Sequence, residues 1–413
     1  MLDYEHVPLC AGSRRRLRRR SLRHRRSRSS VLRRVHLSTT GSDLGLCAWT
    51  KRTAERGAEM GRRERLGAVL EEHKADVFLA ANGPTVTWAT GYVPEESVVR
   101  SPFEAGALAL VETYGLPTLI VSELEQDAAR ASGLEVLTYP FSFSPDNSAT
   151  AVADAVVKAV RGRAVATEAW ALPAVVAGRI DVKDVSSSIA KAQAAKDPDE
   201  LARIRAAIRL CDIGQAAARE ASTAGVSELD VWAAVRAAVE RAAGCTVEMR
   251  CDLLSGPRTT LVGGSPTSRV IAASDTVLFD LFLRHEGYWG DSASTFSIGA
   301  PSAAVVDRHA RVRAALERGL AVMGPGRDVR DVERAIRKEL TYPHLSGHGL
   351  GTSLHEEPRV AGFGHTALEE NMVITIEPGI YDDEPGVRLE QVVLITRDGC
   401  EQLSKHDLSL MAR

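Results

Sequence analysis

LFDLFLRHEGYWGDSASTF, residues 278–296, reads as two apolar strands around a tight turn. A turn centred on His285 and Glu286 sets Asp280 opposite Asp291, where cross-strand Cβ atoms lie about 4.5–5.5 Å apart. Two carboxylates that close repel, and taking them out of water is costly. A cation between them removes both penalties. Either Asp alone would read as a solvated strand-edge residue; the pair asks for a metal.

The C-terminal region repeats the arrangement. TIEPGIY (375–381) and VRLEQVV (387–393) read as paired strands joined by a loop rich in Asp, Pro and Gly, so Glu377 and Glu390 can face each other. Both sit in apolar runs, where an unpartnered Glu is rarely buried. Between the two hairpins lies SGHGLGTSLHEEP (346–358). His348 stands among Gly347, Gly349 and Gly351, which let backbone approach a site closely. His344 precedes it by four residues and His355 follows by seven. Asp280, Asp291, His348, Glu377 and Glu390 together form a mainly oxygen donor set suited to two divalent metal ions. Mn²⁺ is the first choice, with Co²⁺, Fe²⁺ or Zn²⁺ also suited.

Outward from these motifs, residues 196–413 open on a helix start, with Asp197 as N-cap, Pro198 at N1 and Glu200 completing a capping box. A second helix runs from Ser227 to Gly244, and others over 303–323 and 328–340. With strand pairs between them, they predict an α+β domain. Residues 60–195 alternate helices with short β-rich runs at 76–81, 106–112, 117–122 and 164–167, the pattern of a smaller α/β domain. No catalytic constellation is found there. Residues 1–59 hold 15 Lys or Arg against 5 Asp or Glu, with twelve arginines between Ser13 and His36. Such a run cannot build a core, so a disordered or non-native extension is expected. A transit peptide or a basic nucleic-acid arm are the competing readings.

Composition narrows the function. Residues 60–413 hold 37 Lys or Arg and 49 Asp or Glu, and so acidic a body is a poor partner for nucleic acid. No apolar run approaches the ~18 residues of a membrane helix, so no membrane partner is expected. The six cysteines form no C-x-x-C, which fits reduced thiols in the cytoplasm. HEEPR (355–359) lacks the second His of H-E-x-x-H, and GGSPTS (263–268) lacks the Walker Lys.

Over roughly 60–413 the chain resembles the pita-bread metallopeptidases: Xaa-Pro aminopeptidase, prolidase, methionine aminopeptidase and creatinase. Their five-ligand signature falls on Asp280, Asp291, His348, Glu377 and Glu390, with the same order and the same eleven-residue Asp–Asp spacing. Arg388, two residues before Glu390, matches the G-[IV]-R-[IL]-E motif of the prolidase and aminopeptidase P branch. The resemblance implies a pita-bread catalytic domain preceded by a creatinase-type α/β domain, and two metal ions. It implies hydrolysis of a small peptide substrate by an Xaa-Pro aminopeptidase or dipeptidase, and a homodimer. It makes Glu377 a proton shuttle as well as a ligand and His355 an oxyanion stabiliser. His344 and Arg388 become substrate-orienting groups.

Two positions depart from that family. Gly263 stands where relatives usually carry the His of A-L-P-H-G, and Ser294 replaces the Arg of I-T-R-T-F. They keep a second reading open: the same fold acting on a non-peptide substrate, as a creatinase-like or ectoine-type hydrolase or a metal-dependent lyase. A third reading, a non-catalytic binding protein, is disfavoured by the full set of five candidate ligands.

Overall fold

The computed structural model describes residues 61–94, 106–141, 148–363, 365–382 and 384–411; the Arg-rich extension lies outside the described residues. The first half runs α1 (Arg62–Glu72), β1 (Val77–Ala80), α2 (Gly83–Thr90), β2 (Leu108–Val111), β3 (Thr118–Ser122), α3 (Gln126–Ala131), β4 (Glu135–Tyr139), α4 (Ser148–Val160), β5 (Val165–Thr167), α5 (Ala174–Ala177), β6 (Val182–Asp184) and α6 (Ser186–Ala194). Its strands form one sheet in the order β4-β3-β2-β1-β5-β6. Phe78 and Ala80 pack with Leu66, Trp88 and Ile189 from α1, α2 and α6. Val77 and Leu79, on the opposite face, pack with Val152 and Val156 from α4. Cover on both faces is why β1 reads as an unbroken apolar run.

The second half opens on α7 (Pro198–Ala221), with the expected capping box between Asp197 and Glu200. Asp197 also accepts from the Arg62 backbone N–H and pairs with Arg65 at 3.1 Å, tying α1 to this junction. Next come α8 (Glu228–Ala243), β7 (Glu248–Ser255), β8 (Thr276–His285), β9 (Tyr288–Ser297), α9 (Ala303–Val322) and α10 (Val329–Ile336). The helix expected over 328–340 ends earlier, and the Arg337 guanidinium donates to the Tyr342 and His344 carbonyls of the following turn. The chain closes with β10 (Val373–Ile376), β11 (Gly379–Ile380), β12 (Val387–Arg388), β13 (Gln391–Thr396) and β14 (Gly399–Gln402).

Helices α7 and α8 cover one face of the β7–β8–β9 sheet. Val277, Phe279 and Leu281 pack there with Ala207, Cys211, Val231 and Val235. Alternation then turns Asp280 to the other face. Likewise Val312, Leu316, Val332 and Ile336 of α9 and α10 pack on Ile374, Ile376 and Val393.

The hairpin corrects one expectation. It turns at Glu286 and Gly287, both at positive φ (49° and 83°), not at His285 and Glu286. This is the two-residue turn whose twist suits a hairpin, and His285 stays in the ladder opposite Tyr288. Asp280 therefore pairs with Ala293, and Asp291 with Phe282. The two Asp residues are diagonal neighbours on one face rather than directly opposite.

Candidate metal centre

Five neighbouring backbone segments each contribute one candidate ligand. Asp280 lies on β8 and Asp291 on β9. The segment 388–390 runs beside β9: Arg388 N donates to Thr295 Oγ1 at 3.0 Å and Glu390 N to the Ala293 carbonyl at 2.9 Å. The β10–β13 ladder pairs Ile376 with Gln391, and the β11–β12 ladder pairs Gly379 with Arg388. That shared register carries Glu377 across from Glu390. On the other side of β10, Glu377 N donates to Ser346 O at 3.0 Å and Thr375 N to His348 O at 2.8 Å. A Cβ on Gly347 would come within 1.9 Å of the Thr375 carbonyl, so only glycine lets this segment lie so close.

Ligand atoms of Asp291, His348 and Glu390 all lie within 4.8 Å of one another. His348 Nε2 is 3.7 Å from Asp291 Oδ2 and 3.6 Å from Glu377 Oε1. The His348 Nδ1–H donates to the Gly349 carbonyl at 2.9 Å, leaving the Nε2 lone pair free for a cation. Burial, with His355 adding to it, lowers the His348 pKa to about 3, so the ring is neutral. Burial pushes the Asp280 carboxyl up to about 6 and Glu377 up to about 8. Asp291 and Glu390 rise well above the usual carboxylate range for the same reason. Asp280 Oδ1 and Glu390 Oε1 are buried without a hydrogen-bond partner. Crowded, orphaned carboxylate oxygens beside a neutral imidazole fit divalent cations.

Arg388 is buried against this cluster. It donates through Nη1 to Asp280 Oδ2, through Nε to Tyr381 Oη at 2.6 Å and through Nη2 to the Val262 carbonyl. Tyr381 Oη lies 3.1 Å from His344 Nε2, while His344 Nδ1 donates to the Leu345 carbonyl at 2.7 Å. Tyr381 is therefore the donor to His344. Burial, with Arg388 adding to it, lowers the His344 pKa to about 4. His344 Nδ1 is also 3.7 Å from Glu377 Oε2. His355 is exposed and sets its ring edge-on to His348, centroids 4.4 Å apart. All eight residues singled out from the sequence thus lie in one neighbourhood.

Residues 202–397 match Metallopeptidase family M24, and residues 62–193 match the Creatinase/Prolidase N-terminal domain. The Xaa-Pro dipeptidase of Pyrococcus furiosus is 31% identical over 239 residues, 56% of this chain and 69% of that protein. The chain belongs to metallopeptidase family M24. The prolidase from Pyrococcus horikoshii superposes with a TM-score of 0.73 at 27% identity, over 84% of this chain and 99% of that one. An X-Pro aminopeptidase from Thermotoga maritima also gives 0.73, at 22% identity over 85% and 99%, a likeness of fold alone. The expected architecture, a pita-bread catalytic half behind a creatinase-type α/β half, is the observed one.

This M24 metallopeptidase also holds residues that the sequence did not flag. Asp252 of β7 pairs directly with Asp280, accepts from Gly264 N at 2.8 Å and sits 3.7 Å from Arg388 Nη1. A lone Asp between Cys251 and Leu253 carries no local signal; only strand pairing brings it to the site. Tyr381 was likewise hidden at the end of an apolar run. Ser294, one of the two departures from the family pattern, lies on the face of the sheet away from Asp280 and Asp291. It faces the helix side and donates to Gln215 Oε1 at 2.8 Å. Gly263 does matter to the metal side, since a Cβ there would lie 2.7 Å from Asp252 Oδ2.

Proposed function

We propose that this metallopeptidase cleaves the Xaa-Pro bond of small peptides, as a dipeptidase or an aminopeptidase. Asp280, Asp291, His348, Glu377 and Glu390 would hold two divalent cations, Mn²⁺ first among those to test. The observation that carries the reading is the gathering of Asp291, His348 and Glu390 within 4.8 Å, with Glu377 beside His348 and buried, unpartnered oxygens on Asp280 and Glu390. The family membership and the Xaa-Pro dipeptidase among its relatives support it. Bound cations polarise an amide carbonyl and lower the pKa of water. Glu377 accepts a proton at Oε2, the oxygen turned toward His344, and returns it to the departing nitrogen. His355, at the exposed edge beside His348, donates to the developing oxyanion. Arg388 holds Asp280 and, through Tyr381, fixes the ring of His344 that orients the substrate.

The same reading includes a homodimer and a cytoplasmic location. The unpaired thiols of Cys211, Cys245, Cys251 and Cys400 are in keeping with that location. It also divides the chain at residue 195, just before the capping box that starts α7.

The test is release of free Xaa from Xaa-Pro dipeptides and Xaa-Pro-Yaa tripeptides by the full-length chain with Mn²⁺, with Asp291→Ala as the blank. Release from tripeptides makes it an aminopeptidase, and release from dipeptides alone makes it a dipeptidase. No release by metal-loaded protein overturns the peptide reading. A non-peptide substrate would then be indicated, the reading that Gly263 favours.

A further inference from the structure

Lys196 occupies the passage from α6 to α7, and its side chain is 1% exposed. Its ammonium lies 2.5 Å from Glu356 Oε2 and donates to the Gln193 carbonyl at 2.6 Å. Burying two charges costs desolvation that a packed apolar pair of similar volume would avoid. Glu356 does more than meet the lysine. Its Oε1 accepts from Ser353 N at 2.9 Å and from Thr352 Oγ1 at 3.4 Å. A Cβ on Gly351 would meet Oε2 at 2.4 Å, so the loop is wrapped closely on this carboxylate. The Glu356 backbone N–H donates to the Gly349 carbonyl at 2.9 Å, and that carbonyl also accepts from His348 Nδ1. Lys196 is itself anchored, since its N–H donates to the Asn371 carbonyl at 2.9 Å.

We infer that Lys196 and Glu356 form a positioning pair for His348 and His355. The ammonium fixes the carboxylate, the carboxylate fixes the loop, and the loop holds the carbonyl that sets the His348 ring. His355, the residue before Glu356, is placed by the same anchor. The inference rests on reading His348 as a metal ligand.

The test uses metal-stripped full-length wild type, K196M, E356Q and the double variant K196M/E356L. Mn²⁺ affinity is measured by calorimetric titration, alongside kcat, KM and the unfolding midpoint. Each single variant should weaken Mn²⁺ binding and lower kcat at saturating Mn²⁺, each by roughly 10- to 100-fold, with KM moving by less than about threefold. The double variant should recover the unfolding midpoint without recovering Mn²⁺ affinity. It also decides the matter if a single variant fails to fold. Wild-type affinity in the single variants, or affinity regained together with the midpoint in the double variant, overturns the inference. A wild type that binds no Mn²⁺ overturns instead the reading of the site on which the inference stands.

Discussion

Asp252 stands directly across the β7–β8 ladder from Asp280, and the Arg388 guanidinium lies against both carboxylates. Facing like charges are destabilising unless something offsets them. Removing a buried partner from such a cluster costs ~3–5 kcal/mol. R388M should therefore lower the urea midpoint of the metal-free protein strongly, and that of the Mn²⁺-loaded protein less. R388K should not restore it, because an ammonium cannot reach Asp280, Tyr381 and the Val262 carbonyl at once. Equal losses with and without Mn²⁺ would argue against a cation beside Asp280.

The buried carboxyls set a pH dependence whose sign can be worked out. Folding raises Asp280 from 3.8 to about 6 and Glu377 from 4.5 to about 8. Between the unfolded and folded values the native state holds more protons than the unfolded chain. Stability of the metal-free protein from these groups is full below the unfolded values and is lost as pH rises through the folded ones. Cations need the deprotonated forms, so their stabilisation grows over the same window. The difference in melting midpoint between Mn²⁺-loaded and chelator-treated protein should widen from pH 5 to pH 8. Metal-free E377Q should show a flatter profile than metal-free wild type. A difference that narrows with rising pH would contradict the assignment.

Glu377→Gln tests the proton shuttle. The amide keeps the shape of the side chain but cannot take up a proton. General acid–base groups contribute typically ~10²–10⁴ in rate, and kcat should fall by at least that much. Calorimetric titration checks that the variant still binds Mn²⁺. Unchanged kcat in the loaded variant would remove Glu377 from the role.

These tests address residues that differ in how far they could be read beforehand. Glu377, Glu390 and His348 were legible because charged or imidazole groups stood in apolar or glycine-rich surroundings. The helix starts at Asp197 and Ser227 were legible because capping is a local code. The hairpin around Glu286 was legible in kind but not in register, since moving the turn centre by one residue keeps Asp280 and Asp291 on the same face. Asp252, Tyr381 and the Lys196–Glu356 pair were not legible. Each acquires its meaning from a partner 28, 7 or 160 positions away, set by strand pairing or tertiary approach. The short elements β4, β6 and α5 escaped for another reason: they rest on packing against neighbours rather than on their own periodicity.

Gly263 supplies the last prediction. Its missing side chain leaves room for the Asp252 carboxylate, which accepts from Gly264 N at 2.8 Å. A Cβ at 263 would lie 2.7 Å from Asp252 Oδ2, so any larger residue must displace that carboxylate. Histidine, which the family resemblance leads one to expect here, therefore cannot simply be introduced. G263H alone should lower kcat/KM on the best substrate at least about tenfold. G263H/D252A, with the obstructing carboxylate gone, should regain part of that loss. Non-additivity is the signature, because residues in contact couple whereas distant ones add. A fully active G263H, or single effects that add in the double variant, would mean that Gly263 and Asp252 do not shape the substrate pocket together.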